Sequence, residues 1–481
     1  MPFRPTPKSV ASLLAAAPGA RLVHGSPSTV VNGLTQDTRV LQRGELFVAV
    51  AGLERHGLDF MPQALQRGAA AVVAGSRTAL ADLAAAFYDH PSQRLPVVGV
   101  TGTDGKTSTT HLLSAILEAH GLRTGWLTTV NTKLGDELRP NAVDHTTPEA
   151  PVVQHTLAEM VTAGLDVAIL ETSSHALELE RVHGVNYRVG VFTNLSPEHI
   201  NFHGTFEAYR AAKLRLFSGL PSEGLAVLNA DDPNVSFFRS ASAARVLTFG
   251  LDQSADIRAA DVALSPAGTS YVVDGTTIRS RLIGRFNIYN WLGAYAAATF
   301  LGATLDDLCR AAAVTEPVPG RMNLVDQGQP FAVVVDFAHT PQALEKALDT
   351  VRSLGAHKVF LVFGLAGGRD AANRPVMGAL AARKADHFVI STDDPGLEDP
   401  AAIAAQIAAG ARSHDNFTIE LDRRAAIRLV MHRAQPGDAV LLAGKGHEQR
   451  MVVGHVRQPW NDARVANEVL AELGYAIQAV P

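Results

Sequence analysis

Residues 95–121 read LPVVGVTGTDGKTSTTHLLSAILEAHG. The short β-branched run Pro96 to Val100 predicts a buried strand. Between Ser108 and His120, Leu112, Leu113, Ile116 and Leu117 fall on one helical face, and Gly121 closes the segment. The loop Gly102 to Thr107 therefore sits where a strand feeds a helix. Gly102 and Gly105 let backbone N–H groups turn toward an anion, and the helix N-terminus adds the positive end of its dipole. Thr103, Asp104 and Ser108 complete the cradle, Lys106 can reach outer phosphates, and the Thr107 hydroxyl can bind magnesium. Val100 stands where the strict pattern G-x-x-x-x-G-K-[ST] has its first glycine, so the loop is a variant. The plainer alternative is an ordinary strand-to-helix turn with an exposed lysine.

The chain around this loop has 481 residues, too many for one core, and roughly three domains are expected. Hydrophobic residues make up 47% and charged residues 19%, the balance of a soluble globular protein. Lys plus Arg is 42 against 47 Asp plus Glu, which argues against a basic nucleic-acid surface. The single cysteine, Cys309, excludes an intrachain disulfide, and no Cys/His cluster has zinc spacing. A reducing cytoplasm fits, and a monomer is expected. The start, MPFRPTPKSVASLLAAAPGA, has few large aliphatic residues; it reads as a short helix capped by Ser9 rather than a secretory signal. No other run approaches the ~20 apolar residues of a membrane span.

Pattern divides the α/β chain into a small N-terminal unit (1–93), a central unit with a parallel sheet (94–324) and a second, Rossmann-like parallel-sheet unit (325–481). In the first, ELFVAVAG and GAAAVVAG are the clearest strands, and Asp37, Thr38 and Arg39 form a polar turn that is either a local salt bridge or a binding loop. In such sheets ligands sit outside the carboxyl ends of strands. DVAILE ends at Glu171, a carboxylate able to hold magnesium, followed by a polar turn with Ser174. VGVFTNLS leads to Glu198, His199 and His203, although loop histidines are more often solvated than ligands. The helix from Thr205 to Phe217 carries Lys213, by default a snorkelling surface charge. Asn287 and Asn290 lie on one face of a helix start, suited to an adenine or ribose edge or to capping. PGRMN (319–323) marks a boundary, and the strand ends beyond it gather Asp336, His339, Arg369, Asp393, Asp394, Lys445, His447 and Glu448.

Taken in order, LTQDTRV, GVTGTDGKTSTT, TTPE, ETSSHALELERV, TNLSPEHINFHGT, AAKLRLF, NADDP, GRFNIYN, PGRM, VDFAHTP, GGRDAANRP, DDPGLEDP and GKGHE resemble the Mur ligases nearly end to end. These are ATP-dependent enzymes that build the peptide of bacterial peptidoglycan. Within the family the chain most resembles the group adding the third residue to UDP-N-acetylmuramoyl-L-alanyl-D-glutamate. The resemblance implies that the 1–93 domain binds the UDP end, with Asp37, Thr38 and Arg39 near it. It places Thr146, Thr147, Ser174 and Arg181 against the muramoyl-dipeptide. Residues 102–108 would hold ATP phosphates, with Thr107 and Glu171 on magnesium. Lys213 would be carbamylated by carbon dioxide and, with His203, help hold a second magnesium. Asn287, Asn290, Arg321, Asp336 and His339 would hold adenine, ribose and the terminal phosphate, and Arg369, Asp393, Asp394, Gly396, Gly444 and Glu448 the incoming amino acid.

Members of the family that use meso-diaminopimelate carry an arginine at the end of D-N-P-R, where this chain has Asp393, Asp394, Pro395 and Gly396. A lost charge-assisted hydrogen bond is worth about 1.5–3 kcal/mol, roughly ten- to a hundredfold in affinity. The expectation is therefore L-lysine or L-ornithine, with Asp393 and Asp394 as acceptors for a distal ammonium. The alternative is diaminopimelate held by another cation, such as Arg369 or Arg374. Leu179, Asn201, Asn323 and Phe337 are smaller departures and remove no proposed magnesium ligand. Rival readings are a non-catalytic nucleotide-binding scaffold, a plain ATPase, or another amide ligase of the folylpolyglutamate synthetase type.

Overall fold

The computed structural model describes residues 3–52, 55–141, 146–265, 267–369 and 371–475. Asp370, within the GGRDAANRP motif, lies outside them. The chain forms two compact units. One comprises Met1–Leu195, Thr205–Ile257 and Leu292–Leu308; the other comprises Ser196–Gly204, Arg258–Trp291 and Cys309–Pro481.

The first unit contains a short antiparallel pair, Lys8–Ser9 with Val30–Val31, and two larger sheets. A four-stranded sheet runs Arg21–His24, Ala71–Gly75, Leu46–Val50, Leu34–Thr35, parallel except for Arg21–His24. Its core joins Val48 and Val73 to Leu80, Leu83 and Phe87 of the helix Arg77–Phe87, which Ser76 caps through the Ala79 N–H. Ser9 likewise caps Val10–Ala16, as the sequence predicts.

The larger sheet is built around Val97–Thr101, every residue of which is buried. Val167–Glu171 pairs with it on one side and Tyr187–Phe192 on the other, both parallel. Thr124–Leu127 extends the sheet beyond Val167–Glu171, while Leu225–Asn229 and Arg245–Gly250 extend it the other way, again in parallel. Burial on both faces explains why Val97–Thr101, Val167–Glu171 and Leu225–Asn229 read as largely apolar runs rather than alternating. The chain leaves Val97–Thr101 toward one edge and later returns to its other flank, so the phosphate loop opens where strand order reverses, the usual ligand position in such sheets.

Strict strand–helix alternation does not hold across 95–323. Asn131–Leu134 and Glu137–Pro140 form an antiparallel hairpin on the edge of this sheet. In the second unit Ala260–Ser265, Gly268–Val273 and Thr276–Ser280 form a separate antiparallel sheet. Asp274 and Gly275, with φ of 47° and 76°, make its tight turn.

The second unit's main sheet runs Asn323–Leu324, Ala332–Asp336, Ala439–Ala443, Val359–Phe363, His387–Ile390, Phe417–Ile419, parallel except for the first strand. Helices Pro341–Ser353, Asn373–Lys384 and Pro400–Gly410 supply Leu344, Leu348, Met377, Leu380, Ile403 and Ile407 to the core on one face. Arg423–Arg433 and Asp462–Glu472 supply Ile427, Val430, Val465 and Val469 to the other. A doubly covered parallel sheet is the expected Rossmann-like arrangement. The hairpin Arg450–Val453 and Val456–Pro459 is an addition the sequence pattern does not announce. Among the described residues no helix is long and apolar enough to cross a membrane.

Candidate active site

The helix after the phosphate loop, Lys106–Ala119, starts at Gly105, whose φ of 83° a side-chain-bearing residue rarely adopts. Gly102 is required for another reason: a Cβ there would lie 1.9 Å from Thr193 Oγ1. The Thr103 N–H donates to the Asn194 carbonyl (2.8 Å) and the Asp104 N–H to Asn194 Oδ1 (3.0 Å). Lys106 is folded back, its Nζ donating to the carbonyls of Thr103 (2.7 Å) and Gly102 (3.1 Å). Ser108 is buried in the first turn.

Glu171 is buried at the end of the neighbouring strand and accepts from Thr107 Oγ1 (2.9 Å), the Thr129 N–H (3.0 Å) and Thr129 Oγ1 (3.1 Å). A hydroxyl and a carboxylate oxygen 2.9 Å apart beside a phosphate loop form an oxygen donor set that fits a magnesium ion. Lys213 is not a surface lysine: it is 1% exposed. Its Nζ lies over the Tyr209 ring, 4.6 Å from the centroid, and donates to the Gly102 carbonyl (2.7 Å). Tyr209 OH in turn meets Thr103 Oγ1 at 3.1 Å. The first unit thus brings Lys106, Thr107, Glu171 and Lys213 around one loop. His203, on the turn Ile200–His203 and edge-on to Phe202, belongs to the second unit.

Thr147 and Arg181 also converge. Thr147 Oγ1 donates to the Glu171 carbonyl (2.7 Å), and Arg181 Nη1 to the Thr147 carbonyl (3.1 Å). Arg181 Nε lies 2.9 Å from a Glu149 oxygen, and burial lowers the pKa of the guanidinium. Ser174 is buried nearby at the start of Ser174–Glu178, and Thr146 directly precedes Thr147. Asp37 takes the local option: Arg39 donates to both its oxygens, and that pairing outweighs burial to lower its pKa. Thr38 Oγ1 donates to Gln63 Oε1 (2.8 Å).

In the second unit Asn287 Nδ2 donates to the Ile283 carbonyl and Asn290 Nδ2 to Asn287 Oδ1, both at 2.9 Å. The two amides therefore support one another within the helix Arg285–Thr299. Arg321 stacks on Phe337 at 4.6 Å. Asp336 receives the N–H groups of Met322 and Ala338, each at 2.8 Å, and so ties the boundary segment to the strand end. His339 Nδ1 lies 2.8 Å from the Phe337 carbonyl and Nε2 lies 3.8 Å from Glu198. Burial lowers the imidazole's pKa despite that carboxylate.

The cluster of acids at the second unit's strand ends is organised by a residue to which the sequence assigns no role. Lys445 has a fully buried side chain and donates to Asp394 Oδ1 (2.8 Å) and to Glu448, with Asp393 at 3.8 Å. Burial opposes its charge, but the Asp393, Glu448 and Asp394 carboxylates raise its pKa. Burial pushes Asp393 up to about 7, against the pull of Arg423 and Lys445. Asp394 and Glu448 are thus already paired with an internal ammonium. Gly444 closes against this group: a Cβ would lie 2.2 Å from Asp393 Oδ2. Gly396 has φ of 57° with open space beyond its Cα. Its N–H donates to the Val452 carbonyl, which docks the added hairpin on the loop. Arg374 is buried and bound to Glu398 and Gln406. Arg369 is exposed.

A phosphate loop with an adjoining hydroxyl–carboxylate pair and a buried lysine, followed by a second parallel sheet with charged strand ends, defines a multi-sheet α/β enzyme of nucleotide chemistry. Residues 100–298 match the Mur ligase middle domain and residues 320–446 the Mur ligase glutamate ligase domain. A UDP-N-acetylmuramoyl-L-alanyl-D-glutamate–2,6-diaminopimelate ligase of Geobacillus thermodenitrificans (strain NG80-2) is 40% identical, over 96% of this chain and 99% of the relative. A UDP-N-acetylmuramyl-tripeptide synthetase of Roseiflexus sp. (strain RS-1) is 43% identical, over 92% and 95%. The solved structure of a diaminopimelate ligase of this kind covers 98% of this chain and 100% of its own, with a TM-score of 0.66 and 29% identity. The chain belongs to the Mur ligase family, and its close relatives are of the MurE type. It is an ATP-dependent ligase of peptidoglycan synthesis. A folylpolyglutamate synthase from Mycobacterium tuberculosis, 19% identical with a TM-score of 0.61 over 76% of this chain, shares the fold alone.

Proposed function

We propose that the protein joins the third amino acid to the D-glutamate of UDP-N-acetylmuramoyl-L-alanyl-D-glutamate. The observation that carries this reading is the cluster of Lys106, Thr107, Glu171 and Lys213 on one loop, in a chain similar along nearly its whole length to enzymes named for that reaction. The D-glutamate side-chain carboxylate attacks the terminal phosphorus of ATP, and the bond to the bridging oxygen breaks to release ADP and leave an acyl phosphate. The amino group of the incoming residue then displaces phosphate from the acyl phosphate to form the amide. Residues 102–108 hold the phosphates and, with Lys106, offset charge that develops on them, through loop N–H groups other than those of Thr103 and Asp104, which donate to Asn194. Thr107 and Glu171 hold magnesium, which supplies Lewis-acid stabilisation of the phosphoryl oxygens. Carbamylated Lys213 would serve a second magnesium, a metal role in which the family resemblance also places His203. Arg181, Thr146, Thr147 and Ser174 orient the dipeptide, while Asp37, Thr38 and Arg39 serve the UDP end. Asn287, Asn290, Arg321, Asp336 and His339 serve the nucleotide, and Arg369, Asp393, Asp394, Gly396, Gly444 and Glu448 the amino acid. Catalysis takes place in the cytoplasm, by a monomer with boundaries near 93 and 324.

For the amino acid, the comparisons favour 2,6-diaminopimelate, the substrate named for most of the similar ligases, over lysine or ornithine. The pairing of Asp394 and Glu448 with Lys445 removes one argument for a second ammonium there. Gly396 supports the second reading, because it leaves a distal carboxylate without its arginine. Phosphate release with ATP, magnesium, bicarbonate and the UDP-dipeptide separates the two. Turnover at least ~10-fold faster with meso-diaminopimelate establishes the first, and the reverse order, expected from loss of one charge-assisted bond, establishes the second. No turnover with any of the three amino acids sinks third-residue addition itself.

A further inference from the structure

The phosphate loop lacks the first glycine of the strict pattern, yet it is held in one shape from outside. The hold comes from the neighbouring strand end. The Asn194 carboxamide faces the Asp104 residue and makes two bonds to it: the Asp104 N–H donates to Oδ1 (3.0 Å), and Nδ2 donates to the Asp104 carbonyl (3.0 Å). This pairs the side-chain amide with both backbone polar groups of one residue at the crest of the loop. The Asn194 carbonyl takes the preceding N–H, from Thr103 (2.8 Å). Thr193 Oγ1 adds a 2.6 Å bond to the same Asp104 carbonyl, at a place only the glycine at 102 leaves open. The 193–195 segment is itself anchored: Asn229 Nδ2 donates to the Thr193 carbonyl and the Leu195 N–H to Asp232 Oδ2, both at 2.7 Å.

We infer that Asn194 is a positioning residue for nucleotide binding, which sets the direction of the loop's N–H groups by clamping Asp104 without contributing charge of its own. The inference rests on the reading of 102–108 as the phosphate cradle. A loop with two glycines has many conformations; one fixed from the adjacent strand presents its donors without ordering first. Removing the carboxamide leaves the Asp104 N–H and one bond to its carbonyl unmade, so the loss falls on the anion site rather than on the sheet beneath it.

The test is titration calorimetry with Mg–ADP on the full-length protein, together with steady-state kinetics. Asn194→Ala is expected to weaken Mg–ADP and raise the KM for ATP by about tenfold, with kcat at saturating ATP and the KM for the UDP-dipeptide within about twofold. Asn194→Asp keeps the shape but, ionised, turns an acceptor toward the Asp104 carbonyl. With an ordinary aspartate pKa of about 3.9 it stays ionised at neutral pH, so Asn194→Asp is expected to weaken Mg–ADP at least as much as Asn194→Ala. Equal Mg–ADP affinity in wild type and Asn194→Ala overturns the inference, as do parallel losses for both substrates or an Asn194→Asp that binds Mg–ADP as wild type does. Failure of the wild type to bind Mg–ADP overturns the phosphate-cradle reading and this inference with it.

Discussion

Asp393 is a carboxyl group in a place that disfavours its charge. It is buried, and that burial lifts its pKa from 3.8 to about 7 although Arg423 and Lys445 lie near. An acid whose pKa is raised on folding keeps its proton in the native state over a range where the unfolded chain has released it. Its contribution to stability is complete below about pH 4 and is lost as pH rises through about 7. Asp393→Asn resembles the protonated acid at every pH. The urea midpoint of wild type should therefore fall relative to that of Asp393→Asn between about pH 5 and pH 8, by the equivalent of roughly 2–4 kcal/mol. Midpoints that move in parallel would show that Asp393 ionises as in water. The residue types at this site were legible in the sequence, because GKGHE and DDPGLEDP place them at strand ends. Their pairing was not: whether Lys445 or Lys213 is buried depends on what packs over it, and both side chains lie almost wholly inside.

At the scale of elements, long apolar runs and capped helices could be read directly, because burial on both faces writes itself as unbroken Val, Ile and Leu. The hairpins at 131–140 and 450–459 could not, since their strands are only four residues long and mostly partly or fully exposed, with no regular alternation of burial. One link between elements was likewise invisible. Arg423, the first residue of Arg423–Arg433, reaches Asp462, the first residue of Asp462–Glu472, with Nε–Oδ1 of 2.9 Å and Nη2–Oδ2 of 2.7 Å. Arg423 Nη2 also donates to the Ala443 carbonyl at the end of the central strand, and Trp460 Nε1 to Asp462 Oδ1. The pair joins both helices to the sheet, with side-chain exposures of 1% and 0%. Asp462→Ala would leave a buried guanidinium without its counter-charge, a loss of about 3–5 kcal/mol. Chemical denaturation should show it, and a change below about 1 kcal/mol, the range of a surface pair, would mean that water reaches the arginine.

For the whole molecule, three α/β blocks follow from the alternation of patterns along the chain, and three main sheets are present. What the pattern cannot show is how the chain shares residues between compact units: segments 205–257 and 292–308 return to the first, while 196–204 and 258–291 belong to the second. Sequence periodicity is local, and such membership is decided by contacts between distant residues. Because each unit has its own apolar cores, unfolding should not be two-state. Scanning calorimetry is expected to resolve two transitions that separate variants assign. Phe192→Ala removes a ring stacked 3.8 Å from that of Phe238 and should lower one transition, at a loss of about 3–5 kcal/mol. Asp462→Ala should lower the other. Mg–ADP at a hundredfold excess over its Kd adds about 2.7 kcal/mol to whatever binds it. It must therefore raise the transition that Phe192→Ala lowers, since the loop at 102–108 lies in that unit. If a single transition carries both variants and equals its van't Hoff enthalpy, the units unfold as one. If Mg–ADP leaves the Phe192-sensitive transition in place, the phosphate cradle has been put in the wrong half of the chain.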